Sequence, residues 1–175
     1  MKRPLIALAA ACLAVPAYIP AAAQEAEANP QIDYDGFAKL TLELAPIRAE
    51  RRIPLAQFLA KAEEDNAIIL DTRSAAAFAQ GHMAGSINLP FSDFTDAKLA
   101  KVLGSDRTRP VLIYCNNNFS DNAAPVVAKR ATLALNIPTF INLYGYGYTN
   151  IWELADVVAT SDIAWVNSSD AGPAG

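Results

Sequence analysis

The chain has 175 residues, 53% of them hydrophobic and 18% charged, with 14 Lys and Arg against 18 Asp and Glu. That length fits one globular domain, and the apolar fraction excludes low-complexity disorder. A formal net charge of -4, with no basic run longer than Arg51-Arg52, excludes an electrostatic nucleic-acid surface, which needs clustered Lys and Arg.

Residues 1–23 read as an export signal. Lys2-Arg3 form a short positive region, Leu5 to Val15 is apolar, and Ala21-Ala22-Ala23 supplies the small residues that precede cleavage. The apolar stretch is shorter than the roughly 20 residues a bilayer span requires, so no membrane span is expected, and cleavage after Ala23 predicts a periplasmic or secreted product. Cys12 leaves with the signal, so Cys115 becomes the only cysteine of the exported protein. In an oxidising compartment a lone thiol calls for burial, a partner or a chemical use.

Residues 24–52 form an extension expected to pack on the domain. Leu40, Leu42 and Leu44 alternate as in a strand, whereas Phe37, Leu40 and Leu44 suit a helix, so both assignments stay open. The domain proper spans 53–160. Leu55, Phe58, Leu59 and Ala62 have helical spacing, and Ala67 to Leu70 reads as a buried strand. Ser74 caps a short helix that ends at Gly81-His82, and a helix covers Asp96 to Leu103. Val111 to Tyr114 is a second buried strand. Ala124, Val127, Ala131 and Leu135 predict a helix stopped by Asn136 and Pro138, Thr139 to Leu143 a third strand, and Asn150 to Val158 a further helix. Ile163 to Val166 reads as a last short strand in the tail 161–175, which is loose and polar from Asn167. Strands alternating with helices imply an α/β fold with helices on both faces of a sheet.

The polar residues that interrupt these runs locate a site. Asp71 follows the first strand and Cys115 ends the second, and ligands of open α/β sheets bind beyond the carboxyl ends of the strands. Cys115 is followed by Asn116, Asn117, Asn118, Phe119 and Ser120, then by a helix expected to start near Asp121; this stretch reads as a substrate or anion loop whose three Asn are either a plain polar loop or neutral amide donors. Inward backbone N–H groups and the helix dipole stabilise a thiolate there, predicting a thiol pKa below the ordinary value of about 8.5. Asp71, Arg73 and His82 are supporting residues: the first two either hold a strand-to-helix turn or, as a buried ion pair, tune the field at Cys115, and His82 either makes a turn or core contact or does acid/base work. Metal binding lacks partners, and no cofactor is called for. Tyr144, Tyr146 and Tyr148 alternate with glycine and read either as a strand extension or as an aromatic wall over the Cys115 pocket.

Leu70-Asp71-Thr72-Arg73, then Phe78, then Gly81-His82-Met83-Ala84-Gly85-Ser86-Ile87-Asn88-Leu89-Pro90 resembles the signature of the rhodanese-like domains. Val111 to Cys115, the loop after it, Leu143, Gly145 or Gly147, and Trp152 are similar to that family's later motifs, so the resemblance spans about Pro54 to Val158. It implies a five-stranded parallel sheet flanked by helices on both faces. It also implies a cysteine, here Cys115, that carries a persulfide during sulfur transfer from a small sulfur donor or a protein persulfide. The family's thiosulfate-active members commonly place an Arg five positions after the Cys, where this chain has Ser120; the related phosphatases place one six positions after, where it has Asp121. Phosphate chemistry is therefore not expected. A thiosulfate-like dianion should bind weakly, and Ser120→Arg should strengthen it. Two functions stay open: a sulfurtransferase passing sulfur from Cys115 to a thiol or cyanide acceptor, and a catalytically silent module that binds an exported protein or peptide.

Overall fold

The computed structural model describes residues 29–167. Residues 29–33 make a turn closed by Ile32 N–H donating to Asn29 O at 3.0 Å. Residues 34–167 belong to a single compact unit. In order it contains α1 (Tyr34–Glu50), β1 (Arg52–Ile53), α2 (Leu55–Ala62), β2 (Ile68–Asp71), α3 (Ala75–Gln80), β3 (His82–Met83), β4 (Ser86–Asn88), α4 (Asp96–Leu103), β5 (Val111–Tyr114), α5 (Asn136–Gly145), β6 (Ile151–Leu154) and β7 (Trp165–Val166).

Five strands form a parallel sheet in the order β1-β6-β5-β2-β4, and β3 pairs antiparallel with β7 beside it. The centre is β5, whose four residues are all buried, as continuous apolar strands covered on both faces must be. Alternation along the strands sorts side chains into two cores. On one face Leu70, Val111, Ile113 and Ile151 pack against Leu99 and Leu103 of α4 and Phe140 and Leu143 of α5. On the other, Leu112, Tyr114 and Leu154 meet Phe58 of α2, Met83, Phe119 and Val126. This is the α/β sheet with helices on both faces that the sequence pattern implied.

Local chemistry explains the elements that were foreseen. Ser74 caps α3, its Oγ accepting from Ala77 N–H at 3.2 Å, and Thr95 caps α4 through Lys98 N–H at 3.2 Å. At Gly81 a Cβ would run into the Trp165 indole, so the turn that brings β3 against β7 has no room for a side chain. The open question over residues 34–50 resolves to helix. Leu44 is buried while Leu42 is 76% exposed, a split no strand face shared by Leu40, Leu42 and Leu44 would produce.

Three assignments are corrected. Thr139 to Leu143 is not a strand but the middle of α5. Ile137, Phe140, Ile141 and Tyr144 recur at helical spacing, and Pro138 does not stop a helix but sits in the first turn of this one, where its missing N–H costs little. Residues 124–135 are not a helix; they run irregularly, with one 3₁₀ turn at Ala131–Leu133. Asparagine side chains take over the backbone partners there: Asn116 Nδ2 donates to Val127 O, Asn117 Nδ2 to Lys129 O, and Asn122 Oδ1 accepts from Ala128 N–H. Asn150 to Val158 is not a helix either. Its core is β6, held between β1 and β5.

Candidate functional site

Cys115 follows the last residue of β5 in extended conformation (φ -147°, ψ -175°), so the strand's alternation continues and its side chain shares the face of Val111 and Ile113. Ile113 is in register with Glu153 of β6. Glu153 therefore lies on the same face, one strand across and two residues back from Cys115, a Cα separation of about 8 Å. Both line a cavity of about 300 Å³ at the carboxyl edge of the sheet. Asn117 and Asn118 come to it from the loop, Asn136 from the start of α5, and Arg48 and Arg52 from α1 and β1.

The walls are tied together by a chain of hydrogen bonds. Asn118 Nδ2 donates to Leu154 O (2.8 Å) and Asp156 O (3.0 Å), which fixes its amide. Its Oδ1 then accepts from Cys115 N–H (2.9 Å) and from Asn136 Nδ2 (3.0 Å). Glu153 Oε1 takes Arg48 Nη2 at 2.6 Å and Asn136 Nδ2 at 3.4 Å, with Arg52 Nε at 4.0 Å. Among the described residues, the buried side-chain atoms without a partner are Arg48 Nε, Asn136 Oδ1 and Glu153 Oε2, and all three belong to residues of this cavity.

The thiol behaves differently from the sequence expectation. Burial pushes the Cys115 thiol above its ordinary pKa; backbone N–H groups of Asn117, Asn136 and Leu135 pull it down, and the Glu153 charge adds to the rise. Cys115 has no exposed surface, so desolvation of the anion outweighs the N–H groups. The helix whose N-terminus meets the sulfur is α5, starting at Asn136, rather than one at Asp121.

The remaining sequence candidates sit elsewhere. Asp71 and Arg73 reach the same sheet edge but on the opposite face. Arg73 Nη2 donates to Asp71 Oδ2 (2.6 Å) and Gly81 O (2.7 Å), and Tyr114 OH donates to Asp71 Oδ2 (2.6 Å). Burial, then the Asp71 charge, raises the Tyr114 phenol far above its usual range. His82 stacks on Phe78 with ring centroids 3.6 Å apart and donates from Nδ1 to Phe78 O at 2.8 Å. Asn116 points to Val127, and Phe119 is a buried core ring edge-on to Tyr114 and Trp165. Ser120 is exposed, its N–H bonded to Val158 O, and Asp121 accepts from Thr160 N–H and Oγ1 at 2.9 Å each. None of these lines the cavity. The tyrosines form no wall over it: Tyr148 is buried with its OH on Gly104 O, and Tyr146 OH donates to Phe94 O. Among the described residues no group of three or more His, Cys, Asp or Glu is placed to hold a metal ion, and no helix is long and apolar enough to cross a membrane.

Sequence reasoning missed Arg48, Arg52, Asn136 and Glu153. The signal for Glu153 was an acidic residue inside the apolar run Ile151-Trp152-Glu153-Leu154. Glutamate is almost never buried without a partner, so an acid in a central strand marks a built site. Reading that run as a helix hid it.

A five-stranded parallel sheet with a cysteine in the wall of a polar cavity at its carboxyl edge defines a class, and known proteins share it. Residues 55–156 match the model of the Rhodanese-like domain, and the chain belongs to that family. A thiosulfate sulfurtransferase, GlpE of Pseudomonas putida (strain GB-1), is 33% identical over 75 residues, covering 42% of this chain; the match spans 64% of that relative's length. Among solved structures, the rhodanese-like domain of an Anabaena protein aligns at 17% identity over 71% of this chain and 86% of that one, with a TM-score of 0.45. An E. coli rhodanese with anions aligns at 24% identity over 58% and 99%, with a TM-score of 0.39.

Proposed function

We propose that the protein is a sulfurtransferase that carries sulfur as a persulfide on Cys115. The observation that carries the reading is the position of Cys115 in the wall of a polar cavity, with the N–H groups of Asn117, Leu135 and Asn136 directed at its sulfur. The Cys115 thiolate attacks the outer sulfur of a donor R–S–SH. A bond forms between Sγ and that sulfur, the donor's S–S bond breaks, and its electron pair leaves on R–S⁻, which takes up the proton the thiol released. The N–H groups then hold the persulfide anion in place of water. An acceptor thiolate or cyanide attacks the outer sulfur in turn and returns Cys115 to the thiolate.

The missing loop Arg acquires a different meaning here. Arg48 and Arg52 bring guanidinium groups to the cavity from α1 and β1, so positive charge enters from outside the stretch that matches the family. The catalytically silent binding module is favoured by one observation, the full burial of Cys115 with its thiol pKa raised. Intact-mass measurement after exposure to sulfane donors separates the two. Sulfur transfer requires the mass of one added sulfur on the wild type and none on Cys115→Ser; a wild type that gains no sulfur from any donor leaves the binding module. The reading extends to location: residues 1–23 act as a removed export signal, checked by N-terminal sequencing of protein recovered from the periplasm or medium.

A further inference from the structure

The cavity floor is unusual for a site that handles an anion. A fully ionised anion such as thiosulfate offers only acceptors, yet two of the three unpartnered buried atoms, Glu153 Oε2 and Asn136 Oδ1, are themselves acceptors. The Asn136 amide cannot be turned round to change this. Asn118 Oδ1 is fixed as an acceptor by its own Nδ2 bonds to Leu154 O and Asp156 O, and it requires Asn136 to present its Nδ2. The same Nδ2 faces Glu153 Oε1, another acceptor, so Oδ1 is left over. Glu153 is 4% exposed and Asn136 5%, and a buried polar atom without a partner costs about 1–3 kcal/mol. The third atom, Arg48 Nε, is a donor and asks for the opposite. Arg52, half exposed and 4.0 Å from Glu153, adds a second cation to the same wall.

A ligand that satisfies this set brings hydrogens and an acceptor oxygen together. We propose that the cavity contains an ammonium subsite, made by Glu153 Oε2 and Asn136 Oδ1, beside a carboxylate subsite at Arg48 Nε and Arg52, and that the Cys115 donor is the persulfide of a zwitterionic aminothiol. The volume agrees: about 300 Å³ is at the small end of ligand pockets and suits a head group of amino-acid size. Arg48 Nη2 already neutralises Glu153 Oε1 at 2.6 Å, so the second carboxylate oxygen is held in a fixed direction rather than free to rotate toward solvent. The inference rests on the sulfur-transfer reading for its chemistry, but the subsite itself is a matter of binding.

Three persulfides separate the contributions: those of cysteine, cysteamine and 3-mercaptopropionate, which carry both charged groups, the ammonium alone and the carboxylate alone. Timed intact-mass spectra of the wild type, each rate divided by the same donor's rate with N-acetylcysteine in solution to cancel the different leaving-thiol acidities, should show the cysteine persulfide loading Cys115 at least about ten-fold faster than the 3-mercaptopropionate persulfide, with the cysteamine persulfide between them. In Glu153→Gln the ratio should fall to near one. Equal loading from all three, or a ratio that survives Glu153→Gln, overturns the subsite. Binding to Cys115→Ser keeps the question open to decision if no donor transfers sulfur or Glu153→Gln fails to fold. S-methylcysteine, shaped like the donor but inert, should bind at least about ten-fold tighter by calorimetry than 3-(methylthio)propionate. Such a preference without any loading would retain the subsite and reject sulfur transfer; equal affinity, or no binding of either, rejects the subsite.

Discussion

The carboxyl edge of the sheet carries two buried ionic clusters, one on each face, and they are finished differently. On the Tyr114 face, Asp71, Arg73 and Tyr114 close on one another and on the carbonyls of Gly81 and Pro125. On the Cys115 face, Arg48, Glu153, Asn136 and Asn118 are equally interlinked, yet every unpartnered buried side-chain atom among the described residues falls there. A closed cluster has nothing left to offer a ligand and serves the fold. An open one keeps unmet hydrogen-bonding capacity beside Cys115, at a cost in stability that a ligand can recover.

The comparison breaks most visibly at Arg73. Its side chain is 1% exposed and that of Asp71 is fully buried, so Arg73→Ala leaves a carboxylate without its cation and should cost about 3–5 kcal/mol in urea unfolding. A loss below about 1 kcal/mol would mean that the closed cluster does not hold the strand-to-helix turn.

A smaller effect sharpens the open side. The thiolate is the nucleophile, and burial with Glu153 nearby holds Cys115 as the thiol at neutral pH. The rate of iodoacetamide labelling should therefore climb about ten-fold per pH unit through neutrality and continue rising past pH 8.5, where an ordinary thiol levels off. Removing the Glu153 charge in Glu153→Gln should move the profile to lower pH. A plateau already at pH 7 would restore the depressed pKa read from the sequence.

The smallest expected effect is at Ser120. Its exposed side chain lies outside the cavity and its N–H is engaged by Val158 O, so Ser120→Arg should leave thiosulfate turnover unchanged and stability within about 0.5 kcal/mol. A ten-fold gain in thiosulfate turnover would show that the loop reaches the donor after all.

What could be read from the sequence follows from how far each signal reaches. Strands β2 and β5 and helices α2, α3 and α4 carry their own apolar spacing and caps, so Asp71 and Cys115 were placed at the right edge. Which face each one takes depends on the register of neighbouring strands, and Asp71 and Cys115 fall on opposite faces. After Cys115 the local signals mislead. Asn116, Asn117 and Asn122 support an irregular segment through side-chain bonds to residues 6–12 positions away, which helical spacing in the apolar residues cannot reveal. Treating that segment as the helix displaced α5 and β6 in turn, and with them Asn136 and Glu153. Arg48 and Arg52 escaped because they precede the family signature, and only the packing of α1 on α5 and the pairing of β1 with β6 bring them in.

The division between a working cluster and a supporting one is tested most directly by one paired measurement. Glu153→Gln and Arg73→Lys are loaded side by side from cysteine persulfide, with Cys115 persulfide read by intact mass and unfolding read on the same samples. The expected result is that the folded fraction of Glu153→Gln loses the about ten-fold advantage of cysteine persulfide over 3-mercaptopropionate persulfide, loaded in parallel, and that Arg73→Lys loses stability while its folded fraction keeps that advantage. The reverse pattern, with the advantage lost at Arg73→Lys and retained at Glu153→Gln, would contradict it.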